Sequence, residues 1–264
     1  MPAIQTRDGY KLHVEVTGEG QPVVLIPGLG GSANFWSGIA PKLSERFRVV
    51  QFDHRGAGRS DRPVATYSVE GLAADLVDIL DQLSIDSAHL VGHSTGGAIA
   101  QVMAIDHADR VNRLVLSATW DKPTLHFEAL FAARLRMLEV DGPEAYARLT
   151  QLIGFPPDWI DQNPRILRDA VAAAAADLHP ISVAMERLRM LFRFDRSADL
   201  DRIVAPTLVI GSRDDMIIAF GRSEALAKQI RGARLLARDG GHFFPRVDPA
   251  RFVQDLAFLT ESAA

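Results

Sequence analysis

One serine set between two glycines is the first place in this 264-residue chain where chemistry could occur. Gly92-His93-Ser94-Thr95-Gly96 fits Gly-x-Ser-x-Gly and falls between a buried-strand pattern ending at Val91 and a helical pattern starting after Ser94. The string alone is a modest warrant, and its strand-turn-helix placement makes it a strong one. Glycines two positions away on either side let the strand and helix backbones approach closely, and Gly97 extends the clearance. The competing reading is a serine that caps a helix. A serine hydroxyl attacks carbonyl carbon only when a base removes its proton, so this reading requires a histidine. Gly240-Gly241-His242 supplies one in the loop after the last predicted strand. His13, His54, His93, His107, His126 and His179 lie less suitably, and His89 sits inside a strand.

An acid must hold the imidazole in its tautomer, and Asp214-Asp215 follows the predicted strand Pro206–Ile210. Spacing leaves both open; Asp215 is preferred because the loop needs a few residues to turn back over the sheet, and the other aspartate becomes a turn former or cap. An oxyanion hole needs backbone N–H groups aimed at developing charge. The N–H of Thr95, at the helix start, and of Leu29, in Pro27-Gly28-Leu29-Gly30-Gly31, are the candidates. That loop has no Lys-Ser/Thr pair and does not match Gly-x-Gly-x-x-Gly, which disfavours nucleotide binding.

These residues need a scaffold. Two alternating stretches flank the Asp8-Gly9 turn between Ile4 and Thr17, reading as an antiparallel edge. Apolar runs at Val23–Ile26, Val49–Phe52, Ala88–Val91 and Leu114–Leu116 read as buried strands, with an amphipathic helix from Ser68 to Leu83 and an apolar one from Ala98 to His107. The alternation predicts a mostly parallel twisted sheet flanked by helices. From Trp120 to Leu200 no strand is predicted; helices are expected at Leu125–Leu138, Pro143–Leu152, Arg165–Ala176 and Ile181–Phe192. A strand at Pro206–Ile210, a helix at Ser223–Ile230, a strand at Arg234–Ala237 and a helix at Pro249–Leu259 complete the pattern. The expected division is a core of residues 1–119 and 201–264 with a helical cap, 120–200, inserted after the sixth strand.

Composition bounds the rest. Net charge is -4 and basic residues are interspersed with acids, so nucleic acid is not an expected partner. Cysteine is absent, which removes disulfides and thiolate chemistry. No signal-peptide pattern opens the chain and no apolar run is long enough to span a membrane, so a cytoplasmic enzyme, monomer or homodimer, is expected. No Glu-based His-x-x-x-His signature or clustered ligand spacing points to a metal, and no cofactor is expected.

The order Ser94, Asp215, His242, with a helical insertion before the acid, resembles the α/β-hydrolase family over nearly the whole chain. Phe35-Trp36, Asp53-His54-Arg55-Gly56-Ala57-Gly58-Arg59-Ser60, Gly92 to Gly97 and Asp248-Pro249 resemble the branch of 3-oxoadipate enol-lactonases and of aminoacrylate or carbamate hydrolases of pyrimidine degradation. The resemblance implies Asp215 as the acid. Pro27-Gly28 stands where the family usually has His-Gly, which leaves the Leu29 N–H available. Ser94 disfavours the aspartate-nucleophile relatives, the epoxide hydrolases and haloalkane dehalogenases; Phe243, in place of a tryptophan, weakens the carbon-carbon bond hydrolase alternative.

The insertion is expected to lie over the carboxyl ends of the strands as a lid. Trp120 and Phe243 are expected to contact a small-molecule substrate in a mostly apolar pocket. Arg134, Arg136, Arg187, Arg189 and Arg193 are solvated unless one faces inward, where it would favour a carboxylate. The expected activity is cleavage of a small carboxylic ester or lactone, enol-lactones included, through an acyl-enzyme in the catabolism of aromatic compounds or small acids. The alternatives are carbon-carbon, amide or carbamate hydrolysis, or a noncatalytic receptor.

Overall fold

The computed structural model describes residues 4–261, apart from the side chain of Ile166. The outer ends of the expected core segments, residues 1–3 and 262–264, lie outside it, as does the start of the N-terminal stretch examined for a signal peptide. Among the described residues nine strands occur in chain order: β1 (Ile4–Gln5), β2 (Lys11–Leu12), β3 (Val14–Thr17), β4 (Pro22–Ile26), β5 (Arg48–Phe52), β6 (Ala88–His93), β7 (Val111–Ser117), β8 (Thr207–Ser212) and β9 (Arg234–Arg238). The helices are α1 (Ala40–Leu43), α2 (Val69–Gln82), α3 (Thr95–Asp106), α4 (Leu125–Val140), α5 (Gly142–Gly154), α6 (Pro157–Gln162), α7 (Pro164–Asp177), α8 (Ile181–Leu191), α9 (Phe220–Gln229), α10 (Phe244–Val247) and α11 (Pro249–Asp255).

Seven strands form one sheet in the order β3-β5-β4-β6-β7-β8-β9, parallel except for β3, which runs antiparallel to β5. β1 and β2 form a separate two-stranded pair around Gly9, whose φ of +91° suits the turn. The second hairpin arm divides at His13, where the chain changes partners: His13 N–H donates to Ser60 Oγ at 2.9 Å and its carbonyl accepts from Asp53 N–H at 3.0 Å. With β2 and β3 merged, the insertion follows the sixth strand; counted separately, the seventh.

Strand alternation builds two cores. Val24, Ile26, Leu90, Leu114, Leu116 and Val209 face a cluster that includes Leu76, Leu80 and Met103 of α2 and α3. Val23, Leu25, Val91, Val115, Leu208 and Ile210 face the other side, with Trp36, Phe244 and Phe252. Burial on both faces explains why these strands read as continuous apolar runs. Ser68 caps α2, its side chain accepting from Gly71 N–H at 3.0 Å.

Between β7 and β8 all regular elements are helical, α4 to α8 and a short 3-10 turn at Leu200–Arg202. The helix α6 is unanticipated from sequence, because Pro156-Pro157 reads as a breaker whereas Pro157 occupies a first helical turn, which tolerates proline. Arg62 ties the end of α7 to the core by donating to Asp177 and to the Gly58 carbonyl. No helix among the described residues is long and apolar enough to cross a membrane.

β4 sits where the strand order reverses, with β5 on one side and β6 on the other. A sheet of this kind opens a crevice at the carboxyl ends of such strands. The loop after β4 and the turn after β6 are thereby placed side by side.

Candidate active site

Ser94 joins β6 to α3 at φ +54°, ψ −118°, a conformation that costs energy for a residue with a side chain. Three backbone contacts hold it: Ser94 N–H donates to Ser117 O at 2.8 Å, and its carbonyl accepts from Gly97 N–H and Thr119 Oγ1, each at 2.8 Å. The flanking glycines are sterically required. A Cβ at Gly96 would collide with the Ile26 carbonyl, and one at Gly92 with the Gly96 carbonyl.

His242 lies in the loop after β9, buried, with Nδ1 2.8 Å from Asp215 Oδ2. The other oxygen of Asp215 accepts from Ile217 and Ile218 N–H at 2.7 and 2.8 Å, so the carboxylate is fixed as an acceptor toward the ring. Asp214 is turned elsewhere. It accepts from the N–H groups of Gly240 and Gly241 at 3.0 Å and from Ser212 Oγ at 2.6 Å, clamping the backbone that leads into His242.

The Gly28–Gly31 loop passes directly over the serine: a Cβ on Gly28 would stand 3.3 Å from Ser94 Cβ. Among the described residues, neither the Leu29 nor the Thr95 N–H donates to a protein acceptor. Asp53, which is buried, pins this loop by accepting from Ala33 N–H at 2.8 Å and Arg59 N–H at 2.9 Å.

A model of the family described as alpha/beta hydrolase fold matches residues 21–249. The chain belongs to the α/β-hydrolase fold family. Among curated proteins, this hydrolase is similar to one named "Putative carbamate hydrolase RutD" from Caulobacter segnis, 36% identical over 263 residues and 98% of each chain. Among solved structures it is similar to an enol-lactonase from Burkholderia xenovorans LB400, with TM-score 0.91 and 26% identity over 98% of this chain and 100% of that one. It also resembles a structure described as Est816, an N-acyl homoserine lactone degrading enzyme, with TM-score 0.84 and 28% identity over 97% and 99% of the two chains.

In this hydrolase Ser94, His242 and Leu29 share a cavity of about 410 Å³ with Phe243, Phe35, His93 and residues of α4, α5, α7 and α8. The insertion therefore forms its outer wall. Phe243 N–H donates to the Gly154 carbonyl at the end of α5, at 2.9 Å, and a Cβ on Gly154 would collide with the Phe243 ring. Trp120 is a correction. Its indole is 1% exposed and packs on Phe127 and Phe194, with centroids 4.9 and 6.0 Å away, and it is not among the cavity walls. As an apolar residue of the insertion it is expected at the substrate pocket, whereas its large ring is taken up by the core beneath α4.

Of Arg134, Arg136, Arg187, Arg189 and Arg193, two face the cavity. Arg134 is 3% exposed; it donates to Tyr146 Oη and Thr150 Oγ1 at 2.8 and 2.9 Å and lies 4.8 Å over the Phe131 ring. Arg187 is 5% exposed, and burial pulls its pKa down to about 10. Neither has a carboxylate partner among the described residues. Arg136 and Arg189 pair with Glu139 and Glu186 on their own helices, and Arg193 donates to the Tyr67 carbonyl. Arg246, one turn beyond His242 in the short helix α10, also lines the cavity and is not anticipated by sequence reasoning; its position four residues past the histidine is the available signal. The acid in the wall, Asp177, is held by Arg62, so the cavity carries uncompensated positive charge.

Three histidines are buried without charge. Desolvation holds the pKa of His54 and His93 well below the ordinary value and that of His89 at about 4. Unfolding exposes rings that titrate at about 6.5, so below that pH the unfolded chain binds more protons and stability falls. Burial acts oppositely on Asp75, raised to about 6, which offsets one of the three protons. Between pH 6 and 4 the unfolding free energy is expected to fall as the pH is lowered, by about 1.4 kcal/mol per pH unit for each net proton the unfolded chain takes up. Urea titrations at half-unit steps check this; a flat profile across that window would show that the rings are protonated in the folded state.

Proposed function

We propose that this protein is a serine hydrolase that cleaves a small carboxylic ester or lactone through an acyl-enzyme. The observation that carries the reading is the strained Ser94 turn facing the same cavity as an imidazole whose Nδ1 is held by Asp215. Asp215 accepts a hydrogen bond from Nδ1–H and keeps the proton on that nitrogen, which leaves Nε2 of His242 free to take the Ser94 hydroxyl proton as Oγ bonds to the carbonyl carbon. The oxyanion is stabilised by the Leu29 and Thr95 N–H groups. Its collapse expels the leaving alkoxide, which recovers the proton from His242, and water activated by the same ring then hydrolyses the ester to Ser94. Residues 120–200 act as a cap on a core made of 1–119 and 201–264.

The uncompensated charge of Arg134 and Arg187 supports a substrate that carries a carboxylate. Names of similar proteins agree in reaction type, acyl cleavage, and differ in the bond. Carbamate hydrolysis is the second reading, favoured by the 36% identity to the protein of that name. The test is labelling by a neutral fluorophosphonate with the modified residue located by mass spectrometry, followed by turnover of matched esters, lactones and carbamates with and without a carboxylate. Labelling at Ser94 with turnover supports an enzyme; labelling without turnover favours a receptor. Arg134→Met is expected to lower the anionic-to-neutral ratio of kcat/KM by about tenfold or more, the loss of a charge-assisted hydrogen bond. An unaltered ratio would remove Arg134 from substrate recognition.

A further inference from the structure

The two buried arginines of the cavity differ in what they touch. Arg134 rests on side chains of its own insertion, Phe131, Tyr146 and Thr150. Arg187 crosses from α8 to the core: Nη1 faces the Gly56 carbonyl and Nη2 faces His54 Nδ1, both at 3.3 Å. Because a guanidinium only donates, His54 must accept at Nδ1 and carry its proton on Nε2, which has no partner among the described residues. The ring is neutral there, as its burial requires.

His54 in turn meets the loop over the serine. Its backbone N–H donates to the Gly31 carbonyl at 2.7 Å, and Gly31 N–H closes the turn onto Gly28 at 2.9 Å, with Leu29 between them. The guanidinium also lies against Gly31 itself: a Cβ there would collide with Arg187 Nη2 and come within 2.7 Å of Ala57 Cβ. Gly31 holds φ +72° and Gly56 φ +84°, so both positions tolerate only glycine without strain, and both glycines leave room for the Arg187 side chain. A continuous set of contacts thus runs from α8 through Arg187 and His54 to the turn that presents the Leu29 N–H.

We propose that Arg187 is a positioning residue for the oxyanion loop, joining the helical insertion to the Leu29 N–H through His54 and Gly31, while contact with a substrate anion falls to Arg134. This rests on the serine-hydrolase reading and adds a division of labour within its cavity. A donor displaced by a fraction of an ångström loses much of its value to a developing oxyanion, so disturbing this support lowers reactivity toward neutral and anionic acyl groups alike.

The rate of Ser94 phosphonylation by a neutral fluorophosphonate tests the idea, because its phosphoryl oxygen enters the same hole and no substrate carboxylate is involved. Arg187→Met and Arg187→Lys are both expected to slow labelling by about tenfold or more, since lysine keeps the charge but not the two-pronged contact. His54→Leu, which alters no cavity wall, is expected to slow it similarly, and His54→Asn, which restores an acceptor near Nδ1, to recover most of the rate. Circular dichroism and Tm confirm the fold of each variant; should Arg187→Met fail to fold, the His54 pair carries the test. Labelling at wild-type rate in folded Arg187→Met or His54→Leu overturns the inference. So does a loss in Arg187→Met confined to anionic esters, which would make Arg187 the anion contact. A wild-type protein that fails to label at Ser94 would sink the hydrolase reading instead, a distinct outcome.

Discussion

Ser94→Ala is expected to lower kcat for ester hydrolysis by about 10⁴-fold or more, leaving a residue of catalysis from the oxyanion hole and binding alone. The substitution removes one oxygen and no structural contact, since Ser94 is anchored through its backbone N–H and carbonyl to Ser117, Gly97 and Thr119. Alanine meets the same constraint at φ +54° as serine does, so the fold should be retained, with an unchanged circular dichroism spectrum. Steady-state hydrolysis of a p-nitrophenyl ester measures the effect. Undiminished turnover by the folded variant would show that the nucleophile lies elsewhere.

Asp215→Asn is the second large effect, a fall in kcat of about 10³–10⁴-fold. The amide is nearly the shape of the carboxylate and its oxygen can still accept from Ile217 and Ile218 N–H. Its NH₂ then faces His242 Nδ1 as a donor, which selects the tautomer with the proton on Nε2, the wrong nitrogen to accept from serine. The imidazolium that forms during attack also loses its counter-charge. Asp214→Asn is the control one residue away. Its carboxylate serves backbone N–H groups of Gly240 and Gly241, which an amide oxygen still accepts, so only charge assistance is lost and both stability, by about 1 kcal/mol or less, and kcat should change little. A larger drop in kcat for the Asp214 variant than for the Asp215 variant would reverse the assignment.

The scaffold was readable because parallel strands buried on two faces leave continuous apolar runs, and their loops carry the glycines. Val23–Ile26 and Ala88–Val91 announce themselves in this way, and the switch at β4 follows from connecting them. The two aspartates could not be separated by spacing, because a single residue of register decides which carboxylate turns toward β9 and which toward His242. The resemblance named Asp215; the hydrogen bonds show what each side chain meets. Trp120 was misplaced since a bulky ring near a strand end suits a pocket wall and a core equally well, and only the Phe127 and Phe194 rings decide between them. Arg134 and Arg187 read as surface charges on helices. Their inward course depends on how α4 and α8 rotate against the core, which no local pattern encodes. Arg246 was passed over for a similar reason: the short helix α10 that carries it was not foreseen.

The bond between the Gly154 carbonyl and the Phe243 N–H has a bearing on traffic into the enzyme. Along that flank the roof and the strip of chain bearing His242 are joined by a main-chain hydrogen bond, so a doorway there would disturb the imidazole each time it opened. At the end of α7 the fastening runs through side chains, Arg62 donating to Asp177 and Asp177 accepting from Gly58 N–H, and these can rotate away while Ser94 and His242 keep their places. Admission and release on the α7 flank would therefore leave the machinery armed between one visitor and the next.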